Sequence, residues 1–398
     1  MNMKKFFYKL TAIIIAAIML LPICLEVFGE ENPQSLPNNT AGTEEGSLKL
    51  NCKSAILMEA TTGTVLYAQN AEEALPPASV TKVMTLLLVM EAIDAGTIRV
   101  DDTVSVSANA ASMGGSQVFL EEGEQMKLED LLKSVVIASA NDAAVALAEY
   151  VSGSVDTFVG KMNAKAAELG MTATKFENVT GLDDTAVNHL TSAKDIAIMS
   201  CELIKHPLIL QYSSIWMDSI RDGAFGLTNT NRLVRFYKGC TGLKTGSTSK
   251  AGFCVSATAE RNGLSLVCVI MGAESRDIRN AAATTLLDWG FANFALFKEE
   301  AGVSEPIAVK GSAVRQIVGT YPAFSCVVKR EELPKIEKKV TLTDSITAPA
   351  PAGEMIGEVT YFVSEKKIGA VEVCIEKEIK RIGFFEIFCQ IFAKSLLI

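Results

Sequence analysis

The chain has 398 residues, 37 Lys plus Arg against 46 Asp plus Glu, and a formal charge of −9; 49% of its residues are hydrophobic and 21% charged. That composition excludes a mainly disordered protein, and the acidic balance argues against nucleic acid as the main partner. The length exceeds one small domain, and only one apolar stretch, at the very start, is long enough to approach a membrane span.

Residues 1–29 read as a secretory signal. Lys4, Lys5 and Lys9 give a positive start, an apolar run follows from Leu10 to Ile23, and Val27 and Gly29 stand at cleavage-site spacing. An uncleaved anchor is the alternative. Removal of this segment leaves 34 basic and 45 acidic residues, a charge of −11. Residues 30–48, with Pro33, Pro37, Asn38 and Asn39, read as a linker.

The folded part opens with a hairpin, Ala55–Glu59 and Thr64–Ala68. Pro76-Pro77 then precedes an apolar run from Val80 to Ile93 that stops at Gly96, the pattern of a buried helix. Helical spacing returns at Leu128–Val136 and at Phe158–Leu169, and Ser192 with Asp195 caps a helix over Ile196–Ile204. Two apolar runs, Phe253–Ala259 and Leu264–Met271, flank Asn262-Gly263, a hairpin signal, and a helix is predicted from about Asn280 to Phe294. Strands therefore begin and end this region while helices fill its middle. That order predicts an α+β domain over residues 49–300, with an antiparallel sheet drawn from both ends of the segment and a helical cluster inserted. Short β-type runs at Arg315–Val318, Ser325–Val328, Val340–Leu342, Glu358–Val363 and Ala370–Ile375 predict a small all-β domain over 302–380.

Residues 383–398 form an amphipathic tail. Glu386, Gln390 and Lys394 recur every four residues against a wide face of Phe, Ile and Leu. The segment is too short and too charged to span a bilayer. The expectation is a helix lying in the membrane interface, with Lys377, Lys380 and Arg381 favouring anionic headgroups; packing on the protein's own surface is the alternative. Nine cysteines are scattered without C-x-x-C or metal spacing, and most read as small buried hydrophobes.

Only His189 and His206 exist, and no G-x-S-x-G elbow occurs, so Ser-His-Asp chemistry and a His-rich metal site are poorly supported. No metal and no cofactor are expected. Ser79-Val80-Thr81-Lys82 offers another way to activate a nucleophile, because Ser and Lys three apart share one helix face. A lysine can take the serine proton only when neutral, and apolar surroundings with a nearby cation lower its pKa. Ser79 near a helix start also has free backbone N–H groups at hand for an oxyanion. Alone the signal is weak, since on the order of two S-x-x-K matches arise by chance in a chain this long. Ser139-Ala140-Asn141, at a turn between two helical runs, and Lys244-Thr245-Gly246, before the strand hairpin, change the odds. Lys244 supplies a second cation to lower Lys82 and hold Ser139, and Gly246 lets a substrate backbone come close to an edge strand.

The set S-x-x-K, S-x-N and K-T-G in this order resembles the penicillin-binding proteins and class A β-lactamases. The wording Leu75-Pro-Pro-Ala-Ser-Val-Thr-Lys82, Ala138-Ser-Ala-Asn-Asp-Ala143, Thr241-Gly-Leu-Lys-Thr-Gly-Ser247 and Phe176-Glu-Asn-Val-Thr-Gly-Leu182 looks like the low-molecular-mass D-alanyl-D-alanine carboxypeptidases. That resemblance implies a β-lactamase/transpeptidase-like catalytic domain and removal of the last D-alanine from peptidoglycan stem pentapeptides, outside the cytoplasmic membrane. It implies Ser79 as acylated nucleophile, Lys82 as its base and Ser139 as relay to the leaving group. It further implies Asn141 as holder of the substrate amide, and Lys244, Thr245, Gly246 and Ser247 as the strand that binds the terminal carboxylate. The backbone N–H groups of Ser79 and Ser247 would form the oxyanion hole, and β-lactam antibiotics would acylate the same serine. Arg279 matches a family arginine near that carboxylate; a solvated charge at a helix start is the equal alternative, and Arg232 is a weaker candidate. Many relatives carry a histidine after K-T-G where this chain has Ser247. A class A β-lactamase would need an E-x-x-L-N context, which neither Glu168 nor Glu177 has. Endopeptidase action on cross-links and a non-catalytic wall-binding role remain as further readings.

Overall fold

The computed structural model describes residues 48–183 and 186–395. The predicted export signal and the linker up to residue 47 lie outside the described residues, as do residues 396–398 of the tail.

The first region is built on a five-stranded antiparallel sheet. Its strands are β1 (Ser54–Glu59), β2 (Val65–Gln69), β3 (Cys240–Thr248), β4 (Gly252–Arg261) and β5 (Leu264–Ala273). Their order is β2-β1-β5-β4-β3, so the last strand in sequence lies at the centre and β3 lies at an edge. Ser54 faces Met271 across the β1–β5 ladder, joining the two ends of the segment as predicted. The near-continuous apolar runs follow from burial on both faces. Along β5, Val267, Val269 and Met271 enter one core while Leu266, Cys268 and Ile270 enter the other. The first core belongs to the inserted helices, α1 (Lys82–Asp94), α2 (Leu128–Ile137), α3 (Asn141–Ser152), α4 (Val155–Glu168) and α5 (Ala193–Leu203). The second is covered by α6 (Arg276–Asn293), which packs on β4 and β5.

Several bounds differ from those predicted, each for a local reason. Helix α5 begins at Ala193 because the Ser192 side chain accepts a hydrogen bond from Asp195 N, at 3.1 Å. Helix α6 begins at Arg276, four residues before the predicted start, because Ser275 Oγ accepts from Ile278 N. It ends at Asn293, and Phe294–Glu299 continues as a strand paired with Phe324–Lys329. The β-rich region thus takes its first strand from residues that the sequence reading gave to the preceding helix and its flank. Its core includes Val359, Tyr361 and Val373, with Phe324 stacked on Tyr361 at a centroid distance of 4.3 Å. A helix over Phe384–Ser395 closes the described chain and exposes Phe384, Phe385, Phe388, Ile391 and Phe392 to solvent. Among the described residues no helix is long and apolar enough to cross a membrane. Cys201, Cys254 and Cys268 are buried, Cys52, Cys240, Cys326 and Cys374 are half-buried, and all seven are free thiols.

Candidate active site

Pro76-Pro77 keeps the chain out of α-helix until Ala78, and a 3-10 turn over Ala78–Thr81 leads into α1. In a 3-10 turn side chains three apart eclipse one another. Ser79 and Lys82 accordingly meet, with Lys82 Nζ 3.0 Å from Ser79 Oγ. Ser79 is half-exposed, whereas Lys82 is fully buried.

Lys82 Nζ has two further neighbours, Asn141 Oδ1 at 2.6 Å and the Thr180 carbonyl at 2.8 Å. Both can only accept, so they take two N–H groups. In the neutral amine nothing else is left to donate, and the lone pair faces the Ser79 hydroxyl. Burial first, and then the charge of Lys244, hold the Lys82 amine well below its ordinary pKa against the opposing pull of Asp142. The neutral form that the geometry accommodates is therefore the one that the surroundings favour.

Ser139 lies between α2 and α3 with φ of 64°, a left-handed conformation that turns its side chain into the cleft. Lys244 Nζ donates to Ser139 Oγ at 2.8 Å and to the Thr245 carbonyl at 3.0 Å. Lys244 is itself pushed down to about 7 by burial and by Arg279. Asn141 reaches the site already committed: its oxygen accepts from Lys82 and its nitrogen donates to the Gly114 carbonyl at 2.7 Å. It is buried, and it orients the Lys82 amine. Its neighbour Asp142, unassigned from sequence, is buried and accepts from Val118 N and Leu120 N, which fixes the loop around Ser116.

Strand β3 carries Lys244, Thr245, Gly246 and Ser247 past the Ser79 turn. Gly246 lines the cavity, and its lack of a side chain also admits the turn that carries Ser79. A Cβ there would lie 2.7 Å from Ser79 N and 2.9 Å from Val80 N, so the close approach is to the protein's own backbone. Thr245 Oγ1 donates to Thr230 Oγ1 at 2.8 Å, while Ser247 is exposed at the mouth. Arg279 is not the solvated helix-start charge of the alternative reading. It is 3% exposed, and it donates to the Cys254 carbonyl and to Asn280 Oδ1. A cavity of about 570 Å³ joins these groups, with Ser79, Ser139, Thr245, Ser247 and Arg279 among its walls. Arg232 lines it too, as do Trp216 and Phe236, which the sequence reading did not single out.

The loop Phe176–Leu182 acquires a role here. Its Thr180 carbonyl holds Lys82, and Gly181, at φ of 82°, lies so close that a Cβ would stand 1.9 Å from the Ala78 carbonyl oxygen. His189 is a positioning residue. Glu177 N donates to His189 Nδ1 at 3.0 Å, which puts the ring proton on Nε2 and directs it to Thr81 Oγ1 at 2.7 Å. Thr81 in turn donates to the Ala78 carbonyl at 2.8 Å. Burial lowers the imidazole to about 4, so it stays neutral and pins the turn that carries Ser79.

The sequence model described as D-alanyl-D-alanine carboxypeptidase matches residues 39–275, and that of the C-terminal domain of penicillin-binding protein 5 matches residues 291–381. The D-alanyl-D-alanine carboxypeptidase DacF of Bacillus subtilis is 39% identical over 383 residues, covering 94% of this chain and 96% of its own. Penicillin-binding protein 5 from Haemophilus influenzae is similar in structure, with a TM-score of 0.74 at 29% identity over 84% of this chain and 99% of that one. Penicillin-binding protein D2 from Listeria monocytogenes, solved with ampicillin bound, has a TM-score of 0.57 at 31% identity over 62% of this chain and 100% of that one.

Proposed function

The chain belongs to the D-alanyl-D-alanine carboxypeptidase family, and on that premise we propose how its residues carry out the reaction. It is a serine-type hydrolase that releases the terminal D-alanine of a peptidoglycan stem peptide. Neutral Lys82 takes the Ser79 proton as Oγ attacks the carbonyl carbon of the penultimate D-alanine. The resulting oxyanion lies between the backbone N–H groups of Ser79 and Ser247. Collapse breaks the C–N bond, and a proton passed through Ser139 converts the departing nitrogen to the amine of free D-alanine. Water then attacks the acyl-serine, its proton passing to Lys82 and from there to Ser79 Oγ as the acyl C–O bond breaks, which frees the shortened peptide and restores the serine hydroxyl and the neutral lysine. Lys244, Thr245 and Arg279 bind the terminal carboxylate; Asn141 orients Lys82 and meets the substrate amide.

The observation that carries this reading is the set of contacts around Lys82 Nζ. Two acceptor-only neighbours leave one direction free, and that direction is the Ser79 hydroxyl. β-Lactams acylate the same serine, as the ampicillin-bound relative suggests. The catalytic domain occupies residues 49–300 and the β-rich domain 302–380 in this proposal, with the single strand Phe294–Glu299 shared across the junction. The enzyme works outside the cytoplasmic membrane after export by residues 1–29. The helix Phe384–Ser395 rests its exposed phenylalanines in the membrane interface.

The test is intact-mass analysis of the protein with benzylpenicillin, followed by peptide mapping and assay of D-alanine release from a D-Ala-D-Ala peptide. A penicilloyl adduct on Ser79, lost together with D-alanine release in a folded Ser79→Ala variant, is the expected result. Full activity of that variant overturns the mechanism, and rapid turnover of the drug marks a β-lactamase instead.

A further inference from the structure

The segment Gly114–Leu120 lines the cleft at Ser116 and clasps the start of α3. The Gly114 carbonyl accepts from Asn141 Nδ2 and the Ser116 carbonyl from Asn141 N, each at 2.7 Å. In return Asp142 accepts from Val118 N and from Leu120 N, each at 3.1 Å. One buried carboxylate thus takes the N–H groups on either side of Phe119.

Arg221 holds the carbonyls of the same stretch. It stands at the turn of a hairpin made by Met217–Ile220 and Phe225–Thr228, with φ of 52°. Its guanidinium donates to the Val118 carbonyl at 2.8 Å and to the Phe119 carbonyl at 3.1 Å. Glu124 fixes the same guanidinium in a two-pronged pair, accepting from Nε at 2.7 Å and from Nη2 at 3.0 Å. Between them Asp142 and Arg221 satisfy backbone groups of three consecutive residues. Phe119, in the middle, has φ of 56° and leaves its ring 68% exposed. A bulky residue rarely takes that conformation, and it persists only where its neighbours over-determine it. Strain of this kind beside a cleft points to a functional reason for the grip.

We propose that Arg221 is a positioning residue for the base: by holding the Val118 and Phe119 carbonyls it keeps Gly114–Leu120 closed on Asn141, and Asn141 keeps the Lys82 amine aimed at Ser79. The line of contacts is continuous. It runs from the guanidinium through the backbone of Gly114–Leu120 to Asn141, whose Oδ1 lies 2.6 Å from Lys82 Nζ. Arg221 is not among the walls of the cavity, so its effect on the reaction passes through this chain. The inference rests on Lys82 being the base, as in the carboxypeptidase reading above.

The test is a double-mutant cycle on the second-order rate of Ser79 acylation by benzylpenicillin, read by intact mass on the full chain, with a thermal melt of each variant. A 1 Å misplacement costs on the order of 100-fold, so Arg221→Met, which loosens the segment by part of that, is expected to slow acylation about tenfold. Arg221→Lys keeps the charge beside Glu124 without the fork, and it is expected to recover part of the rate. Asn141→Ala is slow by itself. If Arg221 acts through Asn141, the Arg221→Met/Asn141→Ala variant is acylated within about twofold of Asn141→Ala alone. A purely structural role instead carries its loss into both backgrounds. A double-variant loss equal to the product of the two single losses therefore overturns the proposal, and so does a wild-type rate in Arg221→Met. Should Arg221→Met fail to fold, the cycle is run with Arg221→Lys and read in the same way. No acylation of the wild-type protein overturns the carboxypeptidase reading together with this inference.

Discussion

Replacing Gly246 with alanine tests the closeness of β3 to the nucleophile. The added Cβ would stand 2.7 Å from Ser79 N, which is 0.7 Å inside the 3.4 Å at which ordinary contact begins, and 3.0 Å from the Pro77 carbonyl oxygen. All three near atoms are backbone, so no side chain can swing away. Strand and turn must part by several tenths of an ångström. That moves the Ser79 N–H relative to Ser247 and opens the oxyanion site. Overpacking of this kind costs about 1–3 kcal/mol of stability. A misplacement approaching 1 Å at reacting groups costs on the order of 100-fold in rate. The assay is the second-order rate of acylation by benzylpenicillin, read by intact mass, with a thermal melt on the same sample. The expected result is a folded protein of lower Tm acylated about 100-fold more slowly. Acylation within about threefold of wild type, a change of under 1 kcal/mol in barrier, refutes the claim that this contact sets the site's geometry.

Lys244→Met removes a buried cation and is expected to abolish D-alanine release while raising Tm near pH 7. The sign follows from proton linkage. Lys244 titrates at about 7 when folded and at roughly 10.4 when unfolded, so the unfolded chain binds more protons between those values. Its contribution to stability therefore rises with pH above 7 in the wild type, and a Tm-versus-pH slope just above pH 7 that the variant keeps unchanged counts against the argument. Gly181→Ala places a Cβ 1.9 Å from the Ala78 carbonyl oxygen at a φ of 82°, and a loss of about 3 kcal/mol or more in urea unfolding is expected, with slower acylation in whatever remains folded. Asn141→Ala strips Lys82 of one acceptor, and an unsatisfied buried donor costs about 1–3 kcal/mol; acylation should slow while benzylpenicillin still labels Ser79. Deleting residues 383–398 should release the protein from anionic vesicles in a flotation assay, and persistent flotation contradicts the interfacial role.

Much of the site was legible because its chemistry is local in sequence. Ser79 and Lys82 are one turn apart, Ser139 and Asn141 sit where one helix gives way to the next, and Lys244, Thr245 and Gly246 are consecutive on one strand. What could not be read was what those groups touch. Thr180 offers a backbone carbonyl, which every residue has, so nothing in the sequence marks it as the acceptor that fixes Lys82. His189 was visible as a rare residue, yet its work depends on a Glu177 N–H and a Thr81 hydroxyl brought together by the loop between them. Arg279 stood undecided because burial of a charge at a helix start depends on the β4 carbonyl that receives it. The sheet was read well, since hairpin turns and both-sided burial leave patterns in the strands. The strand Phe294–Glu299 was missed because its residues follow a long helix with no breaker between.

The order of the five-stranded sheet has a bearing on how the chain reaches its folded state. Strand β5 lies between β1 and β4, yet about 200 residues separate it from its β1 partner. Loop closure over such a span precedes any reward from pairing, which makes this step slow by topology. Until residue 273 is available the hairpin of β1 and β2 has an open flank, α1 has no sheet beneath it, and Lys82 has no Lys244 nearby. A chain passed through a membrane from its amino end would therefore stay pliable for most of its transit. Ser79 would meet Lys244 and the completed sheet only once about the first two thirds of the chain, to residue 273, had passed.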